Sequence, residues 1–194
     1  SKDFDGPYHK TIFDKKYKSQ LELEDPINIK NFIREDFTFY VNIFKKLIAK
    51  EETMDEFPEL YFNYLNDLTS QEMVIMSIIE KTDDATVIDE KIRVASKEIE
   101  RLFAFLQLSN SYESNRFLEL LFILMEKLKG KEPADYRNEF DTVIKEEISI
   151  RKNTNINEPL PYRYFRDAGY NTLNLRFMRY LFARVEYYLT ENIG

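Results

Sequence analysis

The amino-acid sequence predicts an all-α protein built as an irregular multi-helix bundle of six to eight helices. Apolar residues recur at spacings of three and four along most of the 194-residue chain, which is the period of an amphipathic helix. Turn-forming and β-branched residues are scarce, with four glycines and six valines, and strand-type alternation is rare. These observations argue against a sheet sandwich or a barrel.

The composition is that of a folded globular protein with one substantial domain or two small ones. Hydrophobic residues make up 43% of the chain and charged residues 32%, which is enough apolar material for a core. Cysteine is absent, which excludes disulfides and thiolate chemistry and favours a cytoplasmic location. No apolar run approaches the roughly 20 residues that span a bilayer, and no signal peptide opens the chain. Because the chain begins Ser-Lys without Met, we expect native sequence upstream.

Residues 1–24 lack clear periodicity and are predicted to form an extended lead-in, so the predicted single helical domain covers residues 25–194. Its first helix begins near Pro26, with Asp25 as the N-cap, and ends about Lys50. The predicted apolar stripe of this helix consists of Ile29, Phe32, Ile33, Phe37, Tyr40, Phe44, Leu47 and Ile48. Its spacing predicts one continuous buried face.

Proline and capping signals place the next helices. A second helix starts at Pro58, and a third starts at Thr69, where the sequence Thr-Ser-Gln-Glu matches a capping box. A fourth helix runs over about 86–108, and a sixth opens at Pro133 and lasts to about residue 151. Between them, the fifth helix over about 114–129 is predicted to be the centre of the bundle.

The prediction of a central fifth helix depends on its uniform apolarity. Between Phe117 and Met125 the one polar residue is Glu119, and a helix that is apolar all round is buried all round. Gly130 then supplies a left-handed stop at its C-terminal end.

A long loop is predicted for residues 152–170, and a last helix for residues 171–194. A loop of that length inside a compact domain is either functional or a hinge. The last helix is predicted to bury one face and to expose the other. The predicted core face contains Phe177, Met178, Leu181, Phe182, Val185, Tyr188 and Leu189, and the predicted outer face contains Arg176, Arg179, Tyr180, Ala183, Arg184, Tyr187 and Thr190.

The sequence lacks the residue patterns of the common catalytic, metal and phosphate-binding sites, and we therefore predict a non-catalytic chain with no cofactor and no metal site. The one histidine, His9, cannot supply a zinc or di-iron site or a histidine-based triad, and we expect it to be solvated. The four glycines never fall at the spacing of a phosphate-binding loop. Adjacent helical carboxylates point about 100° apart, so the acidic pairs are predicted to be solvated rather than to form an acid–base dyad. Those pairs are Glu35-Asp36, Asp83-Asp84, Asp89-Glu90 and Glu146-Glu147.

Arginine is concentrated near the C-terminal end of an acidic chain. The net charge is −7, yet five arginines lie between residues 163 and 184, where the one acid is Asp167. This stretch therefore carries about +4, and the remainder about −11. Arginine and tyrosine suit a contact surface for DNA or for protein, and the alternative is that these arginines pair with acidic helices of the same domain. The predicted contact residues are Arg163, Arg166, Arg176, Arg179, Tyr180, Arg184 and Tyr187.

The same helix carries a resemblance to a known family. Residues 179–189 read RYLFARVEYYL. This segment resembles the RYLLxRIExyL helix of the GmrSD-type family of modification-dependent restriction proteins. Those proteins have an N-terminal ParB-like domain with a DGQQR motif, a helical middle region and a C-terminal HNH nuclease domain. The chain has no HNH histidine pair, and its Asp5-Gly6-Pro7 does not match DGQQR. The resemblance therefore implies the helical middle region of such a protein, and it carries over no catalytic residue.

Two hypotheses on function stay open. The resemblance implies a non-catalytic linker or recognition module of a larger DNA-targeting restriction protein that acts in defence. Its partners would be the neighbouring domains of the parent chain and DNA, the latter through residues 163–184. The alternative is a stand-alone helical domain that binds protein through its tyrosine-rich face. No membrane partner is expected, the oligomeric state is open, and an HNH motif beyond residue 194 would favour the first hypothesis.

Overall fold

The computed structural model describes residues 15–156 and 165–193, and it confirms the all-α class. About 73% of the described residues are helical, and none of them forms a strand. They form eight helices when the continuous helical segment 26–51 is counted once, which agrees with the predicted six to eight. The chain divides into two compact units, residues 1–45 and residues 46–194. This division differs from the predicted boundary between residues 24 and 25.

The first unit contains the short helix α1, Lys15–Gln20, which lies inside the predicted extended lead-in. The earlier part of that lead-in, with His9, lies outside the described residues. Helix α2, Pro26–Asn31, begins as predicted, because the Asp25 carboxylate accepts the N–H of Ile27 at 2.6 Å. It continues through a π-helical segment, Phe32–Phe37, into α3, Thr38–Glu51, and the boundary between the units falls within α3.

The π-helical segment changes which residues of this long helix are buried. The predicted stripe included Phe37, Phe44 and Ile48, and all three are exposed in the structure. Ile43, which the stripe omitted, is buried, as is Leu47. A π turn holds more residues than an α turn, so it rotates the positions that follow it. The predicted single buried face is therefore wrong, because none of its residues over 26–37 is buried and Leu47 is the one member of the stripe that is.

The described residues of the second unit form the C-terminal part of α3 and six further helices. These are α4, Pro58–Leu65; α5, Gln71–Ile78; α6, Ala85–Leu108; α7, Ser114–Leu128; α8, Pro133–Lys152; and α9, Leu175–Ile193. Pro58 and Pro133 open their helices as predicted, and Asp84 caps α6 by accepting the N–H of Val87 at 2.9 Å. Gly130 has φ +71, which confirms the predicted left-handed stop after α7.

The predicted capping box at Thr69 does not form. The helix begins at Gln71 after Ser70, and no side chain caps its first N–H groups. Glu72, the residue that the box required at the helix surface, is buried instead. The carboxyl therefore belongs to the interior of the unit, where it contacts Glu51.

Helix α6 is the centre of the second unit, and the prediction that α7 is buried all round is wrong. Helices α4, α5 and α8 all pack against α6. Helix α7 packs against α5 and α8 and buries one face, which includes Leu121 and Leu124, whereas Leu118, Phe122 and Ile123 are exposed. Neighbours contact α7 on one side, so the apolar residues on its other side meet solvent.

Residues 153–156 and 165–174 contain no helix, and most of them belong to the loop predicted over 152–170. The remainder of the loop, with Arg163, lies outside the described residues. Helix α9 begins at Leu175, four residues later than predicted, because the Asn174 side chain accepts the N–H of Phe177 at 2.8 Å. No helix in the described residues is both long enough and apolar enough to span a membrane.

Candidate functional site

Helix α9 carries most of the predicted contact residues, and it is rotated by about a third of a turn relative to the prediction. Tyr180, placed by the sequence on the outer face, is buried, and Arg184 and Tyr187 beside it are half-buried. Phe182, placed in the core, is 71% exposed, and Val185 is exposed as well. The predicted core face is therefore wrong, apart from the buried Phe177 and the half-buried Met178 and Leu181.

The inner face of α9 packs on aromatic side chains of α4 and α6. Phe62 of α4 meets Tyr180 and Tyr187 edge-on, with ring centroids 6.1 and 5.6 Å apart. Phe103 of α6 meets Phe177 in the same geometry at 5.7 Å. Edge-to-face pairs of this kind add to the burial of apolar area, so they hold α9 against the bundle.

Arg184 links α9 to two acidic residues of the bundle. Its Nη2 lies 3.2 Å from an oxygen of Glu59 on α4, and its Nε lies 3.1 Å from an oxygen of Glu100 on α6. Its guanidinium also lies 4.6 Å from the centroid of the Phe62 ring. The cation is therefore satisfied by two carboxylates and an aromatic ring of its own domain, which is the alternative that the sequence left open.

The hydroxyl of Tyr180 completes this cluster by donating a 2.7 Å hydrogen bond to Glu100. Burial raises the pKa of the Glu100 carboxyl to about 7, and Arg184 and the Tyr180 hydroxyl only partly oppose that effect. Burial, followed by the nearby Glu100 charge, raises the pKa of Tyr180 well above its ordinary range. Tyr180 therefore stays a neutral donor at physiological pH.

The remaining predicted contact residues do not join Arg184 in one surface. Arg176 is exposed and forms an ion pair with Asp67, and Arg166 is exposed beside Asp167. Arg179 is exposed and has no ion-pair partner among the described residues. Arg163 lies outside the described part of the chain. Tyr180, Arg184 and Tyr187 all contact Phe62, and the first two also contact acids of the bundle. Arg166, Arg176 and Arg179 take no part in those contacts.

The outward side of α9 is unusually apolar for a surface helix. We use the term outer face for the side chains at 175, 178, 182, 185 and 189, which lie along the side opposite the bundle. Its exposed members are Leu175, Phe182, Val185 and Leu189, and the exposed Tyr188 and Ile193 flank it. Several large apolar residues in one contiguous strip of a surface are typical of an interaction site.

Sequence reasoning also missed a buried polar cluster in the second unit. Gln71 donates to Glu51 at 2.8 Å, and Asn63 donates to Gln71 at 2.9 Å. Burial, and then the hydrogen bond with Glu51, raises the pKa of Glu72 to about 8, so the Glu72 carboxyl keeps its proton at neutral pH. The predicted acidic pairs were neighbours in sequence, whereas Glu51 and Glu72 lie on different helices, so no local pattern identifies them.

The described residues contain no group of three or more histidine, cysteine, aspartate or glutamate side chains placed to hold a metal ion. Glu51 and Glu72 are both more than nine-tenths buried, so this carboxyl pair is an interior feature rather than an open site. The outer face of α9 is therefore the strongest candidate for a functional surface in the described residues.

No protein-family model matches the sequence, and comparisons with curated proteins and with solved structures give no match.

Proposed function

We propose that this chain is a non-catalytic helical protein-interaction module, and that the outer face of α9 is its binding surface. The observation that supports the proposal is the two-sided character of α9. One side packs on the bundle through Phe177, Tyr180 and Arg184, while the other exposes Phe182 and Leu189 to solvent. A helix held rigidly by one side can present the other without an ordering cost.

The partner that fits this surface is an amphipathic helix. The outer face is a straight strip one helix wide, with apolar residues at intervals of three and four. Such a strip is complementary to the apolar face of another helix laid along it. Burying the exposed parts of Phe182, Val185 and Leu189 would stabilise the complex by about 25 cal/mol for each Å² removed from water.

Protein binding is favoured over DNA binding by what the arginines already contact. The acidic partners of Arg166, Arg176 and Arg184 offset three of the charges that the DNA hypothesis requires. An overall charge of −7 also opposes approach to a polyanion. Within a restriction-type parent, as the resemblance implies, the module would position neighbouring domains through helix docking rather than read DNA itself.

Site-specific photocrosslinking in cells tests the proposal. The chain carries Phe182→p-benzoylphenylalanine in one variant and Ile150→p-benzoylphenylalanine in a control, because Ile150 on α8 is also an exposed apolar residue, at 68%. We expect one discrete, identifiable protein adduct from position 182 that Val185→Lys abolishes, and no such adduct from position 150. Equal adduct patterns at the two positions would overturn the proposed function.

A further inference from the structure

We propose, resting on the proposed function, that the helix which covers the outer face of α9 is α9 of a second copy of this chain, packed antiparallel. The first observation is the spacing of the outer face. Leu175, Met178, Phe182, Val185 and Leu189 are separated by three, four, three and four residues. This is the a and d pattern of a coiled coil, repeated over the 19 residues of α9.

The heptad seam lies on the side of α9 that the bundle leaves uncovered. With Leu175 at position a, Tyr180 and Tyr187 fall at position f, and Phe177 and Arg184 fall at position c. Positions c and f lie opposite the a and d seam, and these four residues are the ones that contact α4 and α6. A second helix can therefore approach the seam without displacing any contact that holds α9.

The charges beside the seam identify the partner. Arg179 and Glu186 occupy successive e positions, about 10 Å apart along the axis, which is too far for them to pair with each other. Both are exposed, and neither has an ion pair elsewhere in the described residues. In an antiparallel coiled coil, e positions face e positions, and charges there set partner choice and orientation. Arg179 of one copy then meets the partner's Glu186, and the two-fold axis repeats the pair.

The apolar positions fit the same register. An axis midway between residues 183 and 184 places Phe182 against the partner's Val185, and Met178 against the partner's Leu189. The flanking g positions bring Leu181 against the partner's Tyr188. A parallel pairing would instead set e against g, which puts Arg179 opposite the partner's Asn174 and Glu186 opposite the partner's Leu181, so neither charge meets an opposite charge. The charge pattern therefore selects the antiparallel arrangement.

The test is sedimentation equilibrium of the 194-residue chain between about 1 and about 500 µM, followed by charge exchange. We expect a monomer–dimer equilibrium for the wild-type chain. Arg179→Glu or Glu186→Arg alone replaces two attractive pairs by two repulsive ones and should weaken dimerisation about tenfold. The double variant restores both pairs with reversed polarity and should return to within about threefold of wild type.

Matched controls separate this interface from a general effect of charge. Glu126→Arg on α7 and Lys129→Glu directly after it reverse exposed charges and should leave the dimer unchanged. Circular dichroism checks that each variant keeps its fold, as expected for exposed positions. A wild-type chain that stays monomeric throughout, or a double variant no better than the singles, overturns the proposal.

The photocrosslinking experiment keeps this inference distinct from the proposed function. An adduct at position 182 that consists of two copies of the chain supports both. An adduct with a different protein overturns the inference and leaves the interaction module standing. The absence of a specific adduct, together with a dimer that survives charge exchange, overturns both.

Discussion

The hydroxyl of Tyr180 on α9 donates a 2.7 Å hydrogen bond to Glu100 on α6, and the two residues are 80 positions apart in the sequence. This contact, with the ion pair between Arg184 and Glu100, sets the rotation of α9 about its own axis. It thereby decides that Phe182 and Val185 face outward. The proposed binding surface is a consequence of where a buried carboxylate lies in the bundle.

The first prediction concerns that hydrogen bond. Tyr180→Phe keeps the ring packed on Phe62 but removes the donor to a buried acceptor, and we expect it to lower the free energy of unfolding by about 1–2 kcal/mol. Urea denaturation measures the change. Tyr188→Phe, on the same helix but exposed, should shift it by less than about 0.5 kcal/mol. Equal effects of the two substitutions would contradict this account of how α9 is held.

The second prediction compares how much two of the predicted contact arginines contribute to stability. The Arg184 side chain is 28% exposed and its partner Glu100 only 6%, so Arg184→Ala leaves a buried carboxylate without its cation. We expect a loss of about 1–3 kcal/mol, reduced from that of a fully buried pair by solvent screening. Arg176→Ala is the matched control, because its ion pair with Asp67 is exposed, and it should change the unfolding free energy by less than about 1 kcal/mol. If Arg184→Ala is as mild as its control, the ion pair contributes little.

The third prediction is a pH dependence of stability. The pKa of Glu72 is about 8 in the folded chain and near 4.5 when unfolded, so between these values the folded state binds the extra proton. The free energy of unfolding should therefore fall as the pH rises from about 4.5 to about 8, and Glu100 should add to the fall up to about pH 7. Urea midpoints across this range measure the effect.

Glu72→Gln tests the assignment, since glutamine keeps a donor for Glu51 but cannot ionise. We expect its stability curve to be flatter than that of the wild type, most clearly between pH 7 and pH 8, above the pKa of Glu100. Glu126→Gln, on the exposed side of α7, should leave the curve unchanged. If the free energy of unfolding of Glu72→Gln depended on pH as steeply as that of the wild type, a group other than Glu72 would bind the proton.

The fourth prediction tests the corrected position of α7. Leu121 is fully buried and faces α5 and α8, so Leu121→Ala should cost about 2–5 kcal/mol. Leu118, one turn away on the same helix, is 37% exposed, and Leu118→Ala should cost less than about 1 kcal/mol. Thermal or urea unfolding distinguishes the two. Equal costs would restore the earlier picture of a helix buried all round.

The fifth prediction concerns DNA. If all five arginines between residues 163 and 184 contacted phosphate, the slope of log affinity against log salt on duplex DNA would be about −4.5. Because Arg166, Arg176 and Arg184 already have acidic partners, we expect any residual slope to be no steeper than about −2, with no binding at physiological salt. Fluorescence anisotropy with labelled duplex measures it. A slope near −4.5 that Arg179→Ala reduces would return the DNA hypothesis to first place.

Local signals in the sequence were sufficient for the fold class and for most helix ends. Pro26, Pro58 and Pro133 open helices because proline fixes φ and lacks the N–H that a first turn leaves unpaired, and Gly130 ends one because it adopts positive φ without strain. Each of these effects depends on a few neighbouring residues, so it can be read without knowing the tertiary structure.

The orientation of α9 could not be predicted in this way. The helix has apolar residues on both sides, and periodicity alone favoured the side with Phe182 and Leu189. In the structure the other side of α9 faces the bundle, because Arg184 pairs there with Glu59 on α4 and Glu100 on α6. These two acids lie 125 and 84 residues from Arg184 in the sequence. Buried carboxylates need a cation or a donor, and that requirement outweighs a larger apolar side. The Glu51–Glu72 pair was missed for the same reason.

The π-helical segment at Phe32–Phe37 restricts how this part of the chain can change length. Removing one residue there would allow an uninterrupted α-helix, yet it would swing Tyr40 and Ile43 about 100° around the axis relative to Ile29. Ile43, now buried, would be carried toward solvent. A shortened descendant would need new apolar residues at other positions at the same time. The extra residue of the π-helical segment and the positions of the apolar residues after it therefore depend on each other, and a change in one requires a change in the other.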